Sequence, residues 1–595
     1  MTLSKFNINA CCLSLATIVN MCDIQPLKAQ LAIEADLTNQ LTNQLQAQVT
    51  PVLPPQQDNK PPSTQPLPQP LPTPLPPPDE LLLPPNAEPT PPEVNPDINV
   101  PDTIQVDQFI VTGSTVFSAA DFEKVTAPFT KKPLTLPELF QVRSAITKLY
   151  VDKGYITSGA YIPSQSLKGG TVEIKVVEGQ VEEIKVTGLK RLNPQYIRSR
   201  VRLAAGRPLN RDRLLQGLQV LQTNPQVSNL SAELSTGTTP GGSVLEVKVL
   251  EAKTFNTQLT LDNGRSPSVG SFRREVRIRE GNLSGFGDSA SVSYLNTDGS
   301  DVWDFSYSLP INAKNGTLAF SYGTSDNDII EKPFNQLDIT SYSRYYEVAL
   351  RQPIVQKPRE EFALGFAFTQ RESKASLFNG EVPFPGTGTD ENGRTSVTAL
   401  RFTQEWTQRD SRQVLAARSQ FSIGLDAFNS TINKSSPDSS FLAWRGQAQL
   451  VSLLAPDTLF LVRGDLQFAD RQLLAIEQYS LGGIQSVRGY RQDALLTDNG
   501  FLASTEVRLP IWRQRKSKLV LQLVPFLDFG TVWNQGKNPD PKPNTLVSTG
   551  LGLRFQLGDN LNAQLDYGIP LVSIESKKNN WQENGLYFSL TYSPF

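Results

Sequence analysis

Histidine is absent from all 595 residues, and cysteine is confined to Cys11, Cys12 and Cys22. Both methionines, Met1 and Met21, lie in the same opening stretch. Past that stretch the chain has neither a thiolate nor an imidazole to offer. The usual zinc ligand sets are excluded, as are a histidine general base, a Ser-His-Asp triad and a catalytic thiol. No G-x-x-x-x-G-K-[ST] phosphate loop occurs either. The chain is expected to be no enzyme, to hold no metal or cofactor and to bind no ATP. Without disulfides, an exported protein of this make-up would draw its stability from sheet closure. The net charge of −2 gives no electrostatic footprint for nucleic acid. Long apolar runs are missing too: outside the N-terminus nothing reaches the ~20 residues a spanning helix needs. With charged residues at 19% and apolar ones at 38%, the chain is too polar for a helical membrane protein.

What is present falls into segments. Residues 1–29 read as a secretory signal, with Lys5, an apolar run from Ala10 to Val19, and Leu27-Lys28-Ala29 suited to cleavage before Gln30. Cys22 follows Asn20-Met21, which is a poor lipobox. In residues 30–49, Leu37, Leu41 and Leu45 recur every fourth position among Asn, Gln and Thr, which predicts a helix with an unusually polar face. Residues 50–101 hold 20 of the 45 prolines, with runs such as Pro76-Pro77-Pro78. Such a linker is stiff and extended, and at ~3.1 Å per residue it reaches beyond ~100 Å.

Residues 102–253 contain a repeat. Val111-Thr112-Gly113 returns as Val186-Thr187-Gly188, 75 positions on. Each copy opens with an alternating strand and closes with another, Val172–Glu178 and Leu245–Glu251. Helices are expected between them. Thr135-Leu136-Pro137-Glu138 is a capping box ahead of Leu139, Ile146, Leu149 and Tyr150, with Gly154 as the stop. Asn210 caps a helix that turns Leu214, Leu215, Leu218 and Leu221 inwards. With Gly113–Ser118 and the Val177-Glu178-Gly179 ending, the repeat resembles the polypeptide-transport-associated (POTRA) domain, at 102–179 and again at 180–253.

Residues 254–595 alternate polar and apolar positions through sixteen strand candidates. Trp303, Phe305, Tyr307 and Leu309 share one face, and Asp304, Ser306 and Ser308 the other. Connections after even strands are short, such as Asn312–Asn315. Those after odd strands include the long segments 373–392 and 470–498. This pattern predicts a transmembrane antiparallel β-barrel of about 16 strands, with short turns on the periplasmic side and longer loops outside. Phe595 is the aromatic terminus that marks such barrels for sorting. An even strand count brings both barrel ends to one side and leaves the α+β pair periplasmic.

In the sixth outer loop stands Leu481-Gly482-Gly483-Ile484-Gln485-Ser486-Val487-Arg488-Gly489-Tyr490-Arg491, and further on comes Phe526-Leu527-Asp528-Phe529-Gly530. Strand phase sends Leu519, Leu521, Leu523, Leu527 and Phe529 to lipid and Asp528 to the lumen. The Val487, Arg488, Gly489, Tyr490 tetrad is similar to the loop signature of the outer-membrane insertase and two-partner secretion superfamily. That resemblance implies that the loop folds back into the barrel and Arg488 pairs with Asp528, with Phe526 and Gly530 completing the F-x-D-x-G motif. A carboxylate held away from water needs a cation, and a guanidinium can satisfy both its oxygens.

The whole order, with only two POTRA copies, resembles the two-partner secretion transporters of the haemolysin activation/secretion family. The resemblance implies an outer-membrane pore of a diderm bacterium. Such a pore exports a large secreted partner, a β-helical adhesin or haemolysin-like exoprotein, without ATP. It is set in outer-membrane lipid by the cell's assembly machinery. It also implies that the 30–49 helix plugs the pore. The long proline-rich linker departs from the family and leaves a peptidoglycan-directed or disordered segment as alternatives. An assembly insertase and a passive porin are the rival functions.

Overall fold

The computed structural model describes residues 81–83, 103–165, 169–574 and 580–594. The expected signal at 1–29, the 30–49 helix, most of the 50–101 linker and Phe595 lie outside the described residues.

The first α+β module contains β1 (Ile104–Val106), β2 (Gln108–Thr112), α1 (Ala119–Thr126), β3 (Lys132–Leu134), α2 (Leu136–Asp152), β4 (Gly159–Tyr161) and β5 (Thr171–Val177). Strand β5 lies between β2, which runs parallel to it, and the antiparallel β4. Helix α2 starts where Thr135 and Glu138 cap each other. The Glu138 amide donates to the Thr135 hydroxyl (3.4 Å), and the Thr135 amide donates to the Glu138 carboxylate (2.7 Å). Its inner face is Leu139, Val142, Ile146 and Tyr150, all buried.

The second module has β6 (Gln180–Thr187), α3 (Pro194–Ala205), α4 (Arg211–Gln222), β7 (Val227–Thr236) and β8 (Gly242–Glu251). Here β8 is central, parallel to β6 and antiparallel to β7. The outer edge of β7 takes a short parallel strand from upstream, Leu82–Leu83, opposite Ala232 and Glu233. Asn210 accepts from the amides of Asp212 and Arg213 at the start of α4.

The repeated glycines explain the repeated words. Gly113 and Gly188 have φ +86° and +85°, and a side chain at either would run into the carbonyl oxygen of Val176 or Val249. The repeated acids match as well. Glu178 accepts from the amides of Thr115 and Val116, and Glu251 from those of Lys190, Arg191 and Leu192.

Sixteen antiparallel strands then close into a barrel. The first eight are β9 (Phe255–Asp262), β10 (Arg273–Gly281), β11 (Ser289–Asn296), β12 (Ser300–Pro310), β13 (Thr317–Asp328), β14 (Thr340–Lys357), β15 (Glu360–Leu377) and β16 (Arg394–Arg409). The rest are β17 (Gln413–Leu425), β18 (Leu442–Ala455), β19 (Thr458–Ala469), β20 (Asn499–Gln514), β21 (Leu519–Trp533), β22 (Thr545–Leu557), β23 (Leu561–Pro570) and β24 (Leu586–Tyr592). Closure is made by β9 against β24, from Leu259 opposite Tyr592 to Asp262 opposite Ser589. No edge strand is left in the wall.

Alternation decides which side each residue takes. On β12, Trp303 (54% exposed) and Phe305 (38%) face outwards, whereas Asp304 faces the lumen and accepts from the Tyr345 hydroxyl (2.8 Å). Strands β14 and β15 run for 18 residues each. That is well beyond the ~9–11 needed to cross a bilayer. Both overrun the ends read from the sequence, because lipid no longer enforces alternation once a strand leaves the apolar band. Among the described residues no helix is long and apolar enough to cross a membrane.

The second module sits against one end of the barrel. Arg191 donates to Glu280 (2.9 Å) and to the Asn282 carbonyl (3.0 Å), the Asn193 amide donates to the Gly285 carbonyl (2.8 Å), and Arg200 donates to Asn315 (2.7 Å). The short turns therefore face this module, and the long loops lie at the far end.

Candidate functional site

The 470–498 connection does not stand away from the barrel. It folds back inside it, and its two arms pair as a small hairpin, Tyr479–Leu481 against Leu495–Thr497. Tyr479, Leu481, Val487, Tyr490, Ala494 and Leu495 pack on the inward Leu502, Val532 and Leu546 of β20, β21 and β22. This apolar seat keeps that part of the loop against the wall. The hairpin was not read from the sequence, because each arm is only three residues long.

Arg488 reaches the wall from this seat. Its Nε donates to Asp528 Oδ2 (2.8 Å) and its Nη2 to Oδ1 (2.9 Å), a bidentate pair. The Arg488 backbone amide also donates to Oδ2 (3.1 Å), and the Ser504 hydroxyl donates to Oδ1 (2.6 Å). The side chains of Arg488 and Asp528 are 4% and 0% exposed, so water does little to screen them. Arg488 Nη1 turns to Glu506 (3.1 Å) and lies 3.7 Å from Asp566. Arg508 donates to Glu506 (2.7 Å) and Arg554 to Asp566 (3.1 Å). Three guanidiniums thus face three carboxylates, and a fourth, Arg463 on β19, feels the charges of Asp528 and Glu506. The face of Phe526 completes it, with Arg488 Cζ 3.5 Å from the ring centre.

The other motif residues set the approach. Gly489 has φ +94°, and its backbone lies directly on that of Gly568 in β23. The Gly489 amide donates to the Tyr587 hydroxyl (3.0 Å), which in turn donates to the Tyr490 carbonyl. Tyr490 is anchored through its hydroxyl, in contact with the carbonyls of Val547 (2.8 Å) and Val572 (2.9 Å). Val487 is fully buried. Gly530 leaves room for Leu481, whose side chain would collide with any Cβ there.

The structure therefore brings Val487, Arg488, Gly489, Tyr490, Phe526, Asp528 and Gly530 into one place. Sequence reasoning missed Ser504, Glu506, Asp566, Gly568 and Tyr587. The available signal was strand phase, which turns each of them inwards, but phase alone does not say which inward residues meet. It also missed two further anchors of the loop. Arg491 donates to Glu331 (2.7 Å) beyond β13, and Glu477 accepts from Arg401 (2.7 Å) and Arg371 (3.2 Å). Among the described residues no group of three or more His, Cys, Asp or Glu is arranged to hold a metal ion.

Comparison with known proteins agrees with this architecture. The family model for the haemolysin secretion/activation protein ShlB/FhaC/HecB matches residues 241–555, and the ShlB-type POTRA model matches 104–179. The heme/hemopexin transporter protein HuxB of Haemophilus influenzae is 23% identical over 457 residues, covering 71% of this chain and 76% of its own. The outer membrane transporter CdiB of Escherichia coli is 24% identical over 493 residues, covering 78% and 79%. The solved structure of CdiB from Escherichia coli superposes with a TM-score of 0.63 at 22% identity, over 84% of this chain and 92% of that one. CdiB from Acinetobacter baumannii gives 0.58 at 19% identity, over 96% and 99%. These likenesses carry the fold, and the 241–555 match takes in more than half of the chain, including nearly the whole barrel and its lodged loop. The chain belongs to the ShlB/FhaC/HecB family of haemolysin secretion/activation proteins, the outer-membrane transporters of two-partner secretion with periplasmic POTRA domains.

Proposed function

We propose that this chain exports one large secreted partner protein, an adhesin or haemolysin-like exoprotein of β-helical build, from periplasm to cell surface. The observation that carries the reading is the lodged loop, held across the lumen by Arg488 on Asp528 in a barrel with a POTRA pair at its mouth. A fixed plug of this kind is out of place in a passive porin. In a transporter it is a gate that a substrate must move.

The division of labour follows the segments. Residues 102–179 and 180–253 receive the unfolded partner by strand addition. The edge of β7 supports this, since it already takes Leu82–Leu83 in parallel register. The barrel from 254 onwards conducts the chain, and Arg488 with Asp528 holds the loop in a transport-ready seat that it leaves when the pore opens. The sequence has no phosphate loop, so the driving force is assigned to folding of the partner outside the cell. Residues 1–29 direct export, and the cell's barrel-assembly machinery inserts the protein. The test is deletion of the gene. One secreted protein should vanish from the surface and medium while other outer-membrane barrels stay at wild-type level. A general loss of barrels would overturn the reading in favour of an assembly insertase.

A further inference from the structure

We infer that Glu477 is a second latch on the lodged loop, independent of Arg488, and that the pore opens only when both release. The carboxylate of Glu477 accepts from Arg401 Nη2 at 2.7 Å and Arg371 Nη1 at 3.2 Å. All three side chains are under a tenth exposed, at 7%, 5% and 9%. The arginines come from β16 and β15, and Arg488 pairs on β21. Four strands of wall, β17 to β20, lie between the two attachments. The loop is thus tied at separate points of the circumference.

The second attachment has its own apolar seat. Leu473, Leu474 and Ile476 pack with Val397, Ala399, Phe441 and Ala469, a cluster distinct from the one beneath Arg488. The Gln467 side chain adds a donor to the Glu477 carbonyl (3.0 Å). Glu477 is the carboxylate paired with Arg371, and the buried Glu347 adds a weaker attraction. Beside the triad, Arg418 and Arg445 join Arg371 and Arg401 around a small recess. Withdrawing Glu477 leaves two neighbouring buried guanidiniums without their shared counter-ion, which low-dielectric surroundings make costly. The carboxylate therefore resists departure, as a latch requires. When it does leave, that wall presents an arginine recess to whatever fills the pore.

This inference rests on the reading of the loop as a gate, and its test does not need the partner protein. Purified full-length barrels are placed in planar bilayers and the frequency of large openings is scored. Glu477→Gln, close to isosteric, should raise that frequency about tenfold, and Glu477→Asp should restore most of the closure. Arg371→Gln with Arg401→Gln should reproduce the effect, and adding Glu477→Gln to that pair should change nothing more. Combining Glu477→Gln with Asp528→Asn should raise openings beyond either alone. Heat-modifiability on gels checks folding. If Glu477→Gln fails that check, Arg401→Gln alone carries the same reading. Wild-type gating in the Glu477 and arginine variants overturns the latch, and so does an undiminished Glu477→Gln effect when Arg371 and Arg401 are both glutamine. If the channels behave as expected while deletion of the gene spares every secreted protein, the latch stands and the export reading falls.

Discussion

Gly489 and Gly568 meet backbone to backbone, one on the lodged loop and one on β23. A Cβ built at Gly568 would lie 2.6 Å from the Gly489 nitrogen and 2.8 Å from the Arg488 carbonyl carbon. Neither atom belongs to a flexible side chain, so relief must come from movement of the loop. Overpacking of this kind costs about 1–3 kcal/mol. That corresponds to a roughly 5- to 150-fold shift in the loop's occupancy of its seat. Gly568→Ala should leave the barrel folded, expose 470–498 to protease on intact cells and lower secretion. Protease resistance and secretion at wild-type level would show that the close approach does not position the loop.

The POTRA pair gives a pH-dependent prediction. Burial works against the charge of Glu251, but the amides of Leu192, Lys190 and Arg191 hold its pKa below the usual carboxylate value. A carboxylate whose folded pKa is depressed adds stability above its unfolded value of ~4.3, and loses it as pH falls through the folded value. Glu251→Gln should therefore weaken the 102–253 fragment at neutral pH and converge with wild type in acid. Urea midpoints across that range check it. A gap that is constant with pH would mean that the charge of Glu251 is not what stabilises the loop.

The N-terminal segment gives a conductance prediction. If residues 30–49 occlude the lumen beside the lodged loop, deleting them should raise single-channel conductance in planar bilayers. Unchanged conductance would favour a periplasmic tether, for which the 50–101 linker has ample reach.

The barrel was legible because lipid imposes a period of two. Trp303 and Phe305 against Asp304 could be placed before any geometry was known. Where lipid ends, so does that signal, and the periplasmic end of β14 past Gln352 and the outer end of β15 past Glu372 fall outside the strands that alternation predicts. The POTRA repeat was legible through Gly113 and Gly188, since a left-handed turn against a neighbouring carbonyl admits little else. At the site, Arg488, Asp528 and the glycines came with their motifs. Glu506, Asp566, Glu477, Arg371 and Arg401 carried no local mark. Their partnership exists only once sixteen strands close and the loop returns, so it is a property of the circumference rather than of any segment.

The pair of Arg488 and Asp528 gives the last prediction. Two hydrogen bonds join the side chains, and neither has appreciable access to water. Removing one partner strands the other, which for a buried pair costs about 3–5 kcal/mol. The neighbours Glu506 and Asp566 would still attract Arg488, while Asp528 would keep the Ser504 hydroxyl, the amide of residue 488 and the more distant charge of Arg463. Arg488→Ala and Asp528→Ala should each cut secretion while the barrel remains inserted and heat-modifiable. Arg488→Lys should recover little, because an ammonium cannot make the forked contact. The double alanine variant should be no worse than the worse single one, since both remove the same interaction. Strictly additive secretion defects would show that the two residues do not act through one another, and that Arg488 works mainly through Glu506 and Asp566.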